Sequence, residues 1–156
     1  MQPRTPPRPV SPLDAHLGFW MRFVSNQVSA EFERAVEARG VSVSEWVALR
    51  TLFDQAEATH AALMAALGMT KGAVSKVVSK LQDKGLVTRA AHAVDARAQV
   101  LALTPDGRAL VPALARDADA NDDRFFGHLS AQQRRELTAL LQEMVRLHRL
   151  TQVPVA

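Results

Sequence analysis

One short stretch of the sequence, MTKGAVSKVVSKLQDKGLV (residues 69–87), combines four lysines with two serines. Its apolar residues recur every three or four positions, which indicates a helix with one buried face. The residues of this face are Val74, Val77, Val78 and Leu81. The opposite face would carry lysines, which bind phosphates and guanine, and serine hydroxyls, which donate or accept at base edges. The pattern is typical of a DNA-reading helix, although a charged outer face is often only solvated.

The positive charge of the chain is concentrated in the same region. The 156 residues carry a formal net charge of +3. Residues 71–103 hold six basic and two acidic side chains, whereas residues 11–70 have a net charge of −3 and residues 104–156 are balanced. A cluster of this kind is typical of a protein that binds a polyanion such as DNA.

The sequence shows no pattern suited to catalysis or metal binding. It has no cysteine, which excludes disulfides, thiolate metal sites and a cysteine nucleophile. The five histidines are far apart and show no metal-ligand spacing. Because a glycine-rich phosphate loop and a nucleophile elbow are also missing from the sequence, we expect no metal, no cofactor and no enzymatic activity.

Length and composition predict one soluble domain over residues 11–156. The chain is 47% hydrophobic and 22% charged, which is ordinary for a globular protein. No apolar run approaches the roughly 18 residues of a membrane span. The start, MQPRTPPRPVSP, is too rich in proline for a signal peptide and predicts a disordered basic arm over residues 1–10. We therefore expect a cytoplasmic protein with no membrane partner.

Capping residues and apolar periodicity predict six helices. Ser11, followed by a proline, is expected to cap a long first helix that runs to Ala38. Ser42 and Glu45 form a capping box ahead of the second helix. The residues expected to cap the remaining helices are Thr59, Thr70, Thr104 and Ser130. Pro112 falls inside the fifth helix and is expected to kink it.

Two β-prone runs, LVTRA (86–90) and AQVLAL (98–103), predict a hairpin between the fourth and fifth helices. Since two strands alone are marginally stable, this hairpin should pack on the helices. The predicted fold is mainly α with a small β-hairpin. Two short helices followed by a hairpin form a winged helix-turn-helix, here over about residues 42–104.

In a winged helix-turn-helix the second short helix enters the major groove of DNA. The residues expected to bind DNA are Thr70, Lys71, Gly72, Ser75, Lys76, Ser79 and Lys80 on this helix, and Arg97 at the hairpin tip. Gly72 lowers helix propensity by about 1 kcal/mol relative to alanine. It would either allow close approach of the DNA backbone or be tolerated at a helix start.

The hairpin tip is expected to reach the minor groove through Arg97, because the negative potential of that groove attracts arginine. Asp95, two positions earlier, would pair with Arg97 and orient it. The alternative is an ordinary turn aspartate.

Residues 42–108 resemble the MarR family of winged-helix transcription regulators. The matching segments are SVSEWVALRTL, ALGMTKGAVSKVVSKLQDKGLVTR and DARAQVLALTPDGRAL, the last with an Asp-x-Arg, a Leu-x-Leu-Thr and a Gly-Arg in the spacing of the family. The stretch AAHAV (90–94) departs from the family, which often places more charges there. The flanking helices, about residues 11–38 and 104–150, agree in position with the dimerisation region of the family.

This resemblance implies a homodimer that binds double-stranded DNA at a pseudo-palindromic operator and commonly represses transcription. By position, the serines and lysines at 75, 76, 79 and 80 would face the major groove, and Asp95 would hold the wing-tip Arg97. In many members a small aromatic or phenolic ligand releases the DNA. Its pocket would lie between the first, second and fifth helices and the winged domain.

Candidate ligand-binding residues for that pocket are His16, Trp20, Trp46 and Arg50, which would offer rings and a donor to an aromatic acid. The alternative is that both tryptophans are plain core residues. The leucine stripe of the sixth helix is expected to be buried in a two-fold dimer, or else against the fifth helix.

Two other functions are compatible with the sequence. A winged helix can serve as a protein-interaction module without specific DNA binding, in which case its lysines are merely solvated. The second alternative is an enzyme that acts on a small molecule, but the sequence shows no acid–base pair for catalysis.

Overall fold

A computed structural model of the chain describes residues 9–95 and 97–151. Within this part, the chain forms six α-helices and a small antiparallel sheet, which packs against α2, α3, α4 and α5. The helices are α1 (Leu17–Glu37), α2 (Val43–Phe53), α3 (His60–Leu67), α4 (Lys71–Asp83), α5 (Pro105–Phe126) and α6 (Ala131–Leu147). The strands are β1 (Ala58–Thr59), β2 (Val87–Ala91) and β3 (Gln99–Leu103). Apart from its last two residues, the arm predicted over residues 1–10 lies outside the described residues.

The start of the first helix differs from the prediction. Ser11 does not cap it; a single 3-10 turn over Leu13–Ala15 comes first, and α1 begins at Leu17 with His16 at its N-cap. The helix is interrupted at His16 because the backbone of this residue is extended. The His16 ring nitrogen Nδ1 lies 3.1 Å from the Pro12 carbonyl oxygen. The helix is therefore 21 residues long, shorter than the predicted segment from residue 11 to residue 38.

The other predicted caps are confirmed. Ser42 and Glu45 form both hydrogen bonds of a capping box ahead of α2. Side-chain oxygens that accept a backbone N–H at the start of α3, α4, α5 and α6 belong to Thr59, Thr70, Thr104 and Ser130. Helix α5 continues through Pro112 to Phe126. Most helix boundaries of this chain are therefore encoded locally.

The sheet has one more strand than the sequence predicted. β2 and β3 form the expected antiparallel hairpin, and β1 pairs with the other edge of β3, with Ala58 opposite Leu101. A strand of two residues is too short to show alternation, and its partner lies far along the chain. The pairing of β1 therefore depends on tertiary structure, and it anchors the start of α3 beside the wing.

Helix α4 buries the face that the periodicity predicted. Val74, Val77, Val78 and Leu81 are all buried, and they pack in one core with residues of α2, α3, β3 and α5. Because this apolar face is buried in the core and α4 packs against α2, α3 and β2, the opposite face of α4 is presented to solvent in a fixed orientation.

Helix α6 contributes nothing to this core. It contains no buried residue, and its apolar side chains remain accessible; among them Leu140 is 53% exposed and Val145 is 47% exposed. The leucine stripe of α6 is therefore not buried against α5, which was the alternative to burial in a dimer. In α1 the buried residue is Val36, whereas Leu17, Phe23 and other apolar side chains near its start are exposed.

Candidate nucleic-acid interface

Helices α3 and α4 meet at a bend of 107° and present one face of α4 outward. Lys71, Gly72, Lys76, Ser79 and Lys80 are exposed on it, and Ser75 is half-buried. A shallow groove runs along this face, lined by Ser75, Lys76, Ser79, Lys80 and Asp83. The structure thus brings together the polar side chains that the sequence placed in the major groove.

Two of the predicted contacts, Thr70 and Gly72, lie at the start of α4. The Thr70 hydroxyl accepts a hydrogen bond from the Ala73 backbone amide at 3.3 Å, so it caps the helix. A Cβ added at Gly72 would meet no atom within 4 Å. Packing within the described chain does not demand glycine there, and both explanations of Gly72 stay open.

Both serines of this face are tied to side chains of neighbouring elements. The Ser75 hydroxyl lies 3.1 Å from Nε2 of His60, at the start of α3. The Ser79 hydroxyl accepts a hydrogen bond from Nη2 of Arg89, on β2, at 3.1 Å. The same Arg89 nitrogen donates to the Ser75 carbonyl at 3.4 Å. These hydrogen bonds connect α4 to α3 and to β2 directly behind the exposed face.

Sequence analysis did not identify His60 or Arg89 as functional residues. Alternation along β2 could have indicated Arg89, because it lies two positions after the buried Val87 and so on the side of the strand that faces the helices. His60 has no comparable signal, since its partner Ser75 lies on another helix.

Burial, the positive charge of Arg89 and that of Lys71, in this order, lower the pKa of His60 below the usual 6.5, which favours the uncharged ring. Its Nδ1 atom is buried without a hydrogen-bond partner, as is Nε of Arg89. The interface therefore contains a neutral imidazole held against a serine.

Lys84, the fourth lysine of the stretch, does not belong to this face. Its ammonium nitrogen binds the Glu45 carboxylate at 2.7 Å and the Gly40 carbonyl oxygen at 2.7 Å. Glu45 is only 2% exposed. Lys84 therefore connects the end of α4 to the start of α2 and serves the fold.

At the wing tip, Asp95 does not contact Arg97 in the predicted way. The Asp95 carboxylate accepts a hydrogen bond from the backbone amide of Arg97 at 3.0 Å, and no salt bridge joins the two side chains in the described structure. Nδ1 of His92 accepts hydrogen bonds from the amides of Val94 and Asp95. Asp95 is thus a turn aspartate, and the Arg97 side chain is exposed.

A cavity of about 360 Å³ lies between α1, α2 and α5. The residues lining it are Val28, Ser29, Phe32, Glu33, Val43, Trp46, Val47, Ala118, Asn121 and Asp122. Trp46 is therefore placed where the sequence predicted a ligand.

The other three candidate ligand residues lie elsewhere in the chain. His16 lines a separate groove beside Phe19, and the Trp20 indole nitrogen donates to the Asp14 carbonyl oxygen at 2.8 Å. Arg50 forms a salt bridge with Asp54 at 2.7 Å. A single chain does not assemble the four residues into one site.

Among the described residues, no three histidine or carboxylate side chains converge as metal ligands would. In the same part of the chain, no single helix is long and apolar enough to cross a membrane. Helices α3 and α4 reach that composition only when they are counted together across their bend.

Comparison with known proteins identifies similar regulators. The family model of the MarR family matches residues 39–98. HTH-type transcriptional repressor Rv2887 of Mycobacterium tuberculosis is 31% identical over 131 residues, which covers 84% of this chain and 94% of that protein.

Solved structures share the fold. BpsR of Bordetella bronchiseptica, whose DNA binding is regulated by 6-hydroxynicotinic acid, has a TM-score of 0.76 at 24% identity and covers 87% of this chain and 97% of its own. A mutant MarR of Escherichia coli in complex with operator DNA has a TM-score of 0.74 at 20% identity, with coverages of 83% and 93%.

Proposed function

The chain belongs to the MarR family of transcriptional regulators, and on that premise we propose that it is a sequence-specific repressor that binds a pseudo-palindromic operator as a homodimer. The observation that carries the proposal is the outward face of α4, where Lys71, Lys76 and Lys80 surround two serines, while Lys84 is bound to the buried Glu45 carboxylate. Lysines that only kept the protein soluble would not need to lie together on one face around the two serines.

The dimer is supported by the unburied apolar surface of the long helices. Helix α6 has an apolar stripe with no buried residue, and the start of α1 exposes Leu17, Trp20 and Phe23. A two-fold axis would let these faces cover one another. It would also place two recognition helices in successive major grooves, about 34–36 Å apart. A monomer in light scattering at micromolar concentration would contradict this model.

Operator binding is tested by fluorescence anisotropy on the DNA upstream of the gene of this protein, with a shuffled duplex as the control. We expect nanomolar affinity for the natural duplex, weak affinity for the shuffled one and a steep decrease with salt. A winged helix that only binds a protein partner would show no salt-dependent DNA binding. That result would favour the interaction-module alternative.

The contribution of Lys80 is tested by the salt dependence of binding. Lys80→Ala should weaken binding to all sequences and lower the salt slope by about 1, because one phosphate contact is lost. Arg135→Ala, which removes an equal charge from the exposed surface of α6, is the matched control and should leave the slope unchanged. An unchanged slope in the Lys80 variant would remove this residue from the set of phosphate contacts.

We also propose that the cavity at Trp46 binds a small aromatic effector. Phe32 and Trp46 supply two rings and Glu33 supplies a carboxylate, whereas the Asp122 carboxylate is paired with Arg134; no basic side chain lines the cavity among the described residues. A neutral or basic ring therefore suits the site better than the aromatic acid expected from the sequence. That expectation depended on Arg50, which instead pairs with Asp54.

Effector binding is tested with the fluorescence of Trp46 in a Trp20→Phe variant, titrated with phenol and with salicylate. We expect phenol to quench the fluorescence at lower concentration, because the Glu33 carboxylate repels salicylate. Glu33→Gln should narrow the difference between the two compounds. Tighter binding of salicylate would contradict the proposed charge preference.

A further inference from the structure

We propose that Ser75 and Ser79 read hydrogen-bond acceptors on the bases in preference to donors, because each serine oxygen already accepts one hydrogen bond, from His60 or Arg89, and keeps its proton free. This inference rests on the proposed DNA binding and specifies which base edges α4 selects. A serine hydroxyl by itself can pair with either kind of edge. Here one of the two lone pairs on each serine oxygen is already used, which favours donation by the hydroxyl proton.

The bond between Arg89 and Ser79 has a defined direction. A guanidinium group has N–H donors and no acceptor. At 3.1 Å from Nη2 of Arg89, the Ser79 oxygen therefore accepts, and its own proton is left for another partner. That partner lies on the outer side of α4, because Ser79 is exposed and lines the groove of that face.

The direction of the bond between His60 and Ser75 follows from the other ring nitrogen. Nδ1 of His60 is buried and has no partner. A proton on Nδ1 would be a buried donor without an acceptor, which is rarer and more costly than a bare nitrogen. The proton of the neutral ring therefore sits on Nε2, which donates to the Ser75 oxygen at 3.1 Å. As at Ser79, the hydroxyl proton of Ser75 is then free to be donated to another acceptor.

The hydroxyls do not use the acceptors that their own helix offers. Two helical threonines, Thr51 and Thr138, donate to the carbonyl oxygen four residues earlier, both at 2.8 Å. Neither Ser75 nor Ser79 makes such a bond in the described structure. Each therefore has a proton that a DNA acceptor can receive.

The consequence is a preference that can be stated in terms of bases. In the major groove the acceptors are N7 and O6 of guanine, N7 of adenine and O4 of thymine, whereas cytosine presents the N4 amino donor. Residues four apart on a helix lie about 5–6 Å from each other, so the two serines can reach neighbouring base pairs. Cytosine should be rejected at both positions.

The test is selection of bound sequences from a random duplex pool by the wild-type protein and by Ser75→Ala, Ser79→Ala, His60→Ala and Arg89→Met. Each serine variant should lose the preference at one position of each half-site. His60→Ala should relax the position read by Ser75, and Arg89→Met the position read by Ser79, so that cytosine is admitted. Arg135→Ala, on the exposed surface of α6, is the control, which should leave the motif unchanged.

A second measurement removes or weakens the acceptor on the DNA. A 7-deazapurine at the selected position, or 4-thiothymine, whose sulfur is a weaker acceptor, where thymine is selected, should weaken wild-type binding by about 2- to 10-fold. The same replacement should have no effect on the matching serine variant. Thermal unfolding of each variant establishes that it is folded.

The outcomes separate the two proposals. If the wild-type protein selects no sequence, the proposed operator binding is wrong, and this inference with it. If it selects a motif with cytosine at the serine positions, or if His60→Ala and Arg89→Met leave the motif unchanged, only the reading by polarised serines is wrong.

Discussion

Replacing Gly107 with alanine is expected to lower the free energy of unfolding by about 3 kcal/mol, the upper end of the usual cost of overpacking. Gly107 is the third residue of α5 and is buried. A Cβ at this position would lie 2.1 Å from the carbonyl oxygen of Leu86 and 3.0 Å from its carbonyl carbon. These are backbone atoms, so no side-chain rotation can relieve the clash.

The backbone at Leu86 cannot easily move away. Its carbonyl oxygen accepts a hydrogen bond from the Thr104 amide at 3.0 Å, and the Thr104 hydroxyl donates to the Gly85 carbonyl oxygen at 2.6 Å. This junction joins the end of α4, the start of the wing and the start of α5. We therefore expect Gly107→Ala to displace the wing relative to α4 and to weaken DNA binding as well.

Gly72→Ala is the matched control, because both glycines lie in the first turn of a helix. With open space around its Cβ, the alanine variant should gain up to about 1 kcal/mol of stability from helix propensity. Urea unfolding measures both variants. Equal stability of Gly107→Ala and the wild-type protein would contradict the close contact. Lower DNA affinity of Gly72→Ala would indicate that the DNA backbone approaches this residue.

Replacing Lys84 with methionine should be the second most damaging change, at about 3 kcal/mol. Breaking a buried ion pair typically costs about 3–5 kcal/mol. The lower end applies here because the Lys84 side chain is 39% exposed, although the Glu45 side chain is 2% exposed. The variant would leave a buried carboxylate with the Ser42 amide as its remaining donor among the described contacts.

The control for Lys84→Met is Lys80→Met, which removes the same charge from the exposed face of the same helix. Its stability should change by no more than about 0.5 kcal/mol, since surface substitutions rarely cost more. The effects on DNA binding should be the opposite of those on stability. Lys80→Met should lower the salt slope of binding, whereas folded Lys84→Met should have the slope of the wild-type protein.

Replacing Glu45 as well as Lys84 distinguishes loss of the ion pair from loss of packing by the Lys84 side chain. The double variant Glu45→Met with Lys84→Met should recover much of the lost stability, because replacing both partners by apolar groups is often neutral. If the single variant Lys84→Met unfolds in urea at the same concentration as Lys80→Met, the ion pair does not support the fold.

Local features of the sequence were sufficient for most elements and for the outward face of α4. The caps at Ser42, Thr59, Thr70 and Thr104 act on amides three residues away, so their signals are complete within one turn. The buried stripe from Val74 to Leu81 is periodic, and periodicity alone identified the face opposite to it. The exception was Ser11, where the cap and proline signals were present but the extended backbone of His16 broke the helix.

Only the tertiary structure decided how the residues of the interface work together. His60 and Arg89 reach the two serines from α3 and β2, and Lys84 turns inward because Glu45, from α2, lies within 2.7 Å of it. These contacts join residues that are far apart in sequence, so no spacing rule contains them. Side chains of one type therefore differ in their surroundings: packing brings the buried Glu45 carboxylate to Lys84, whereas Lys76 and Lys80 stay exposed.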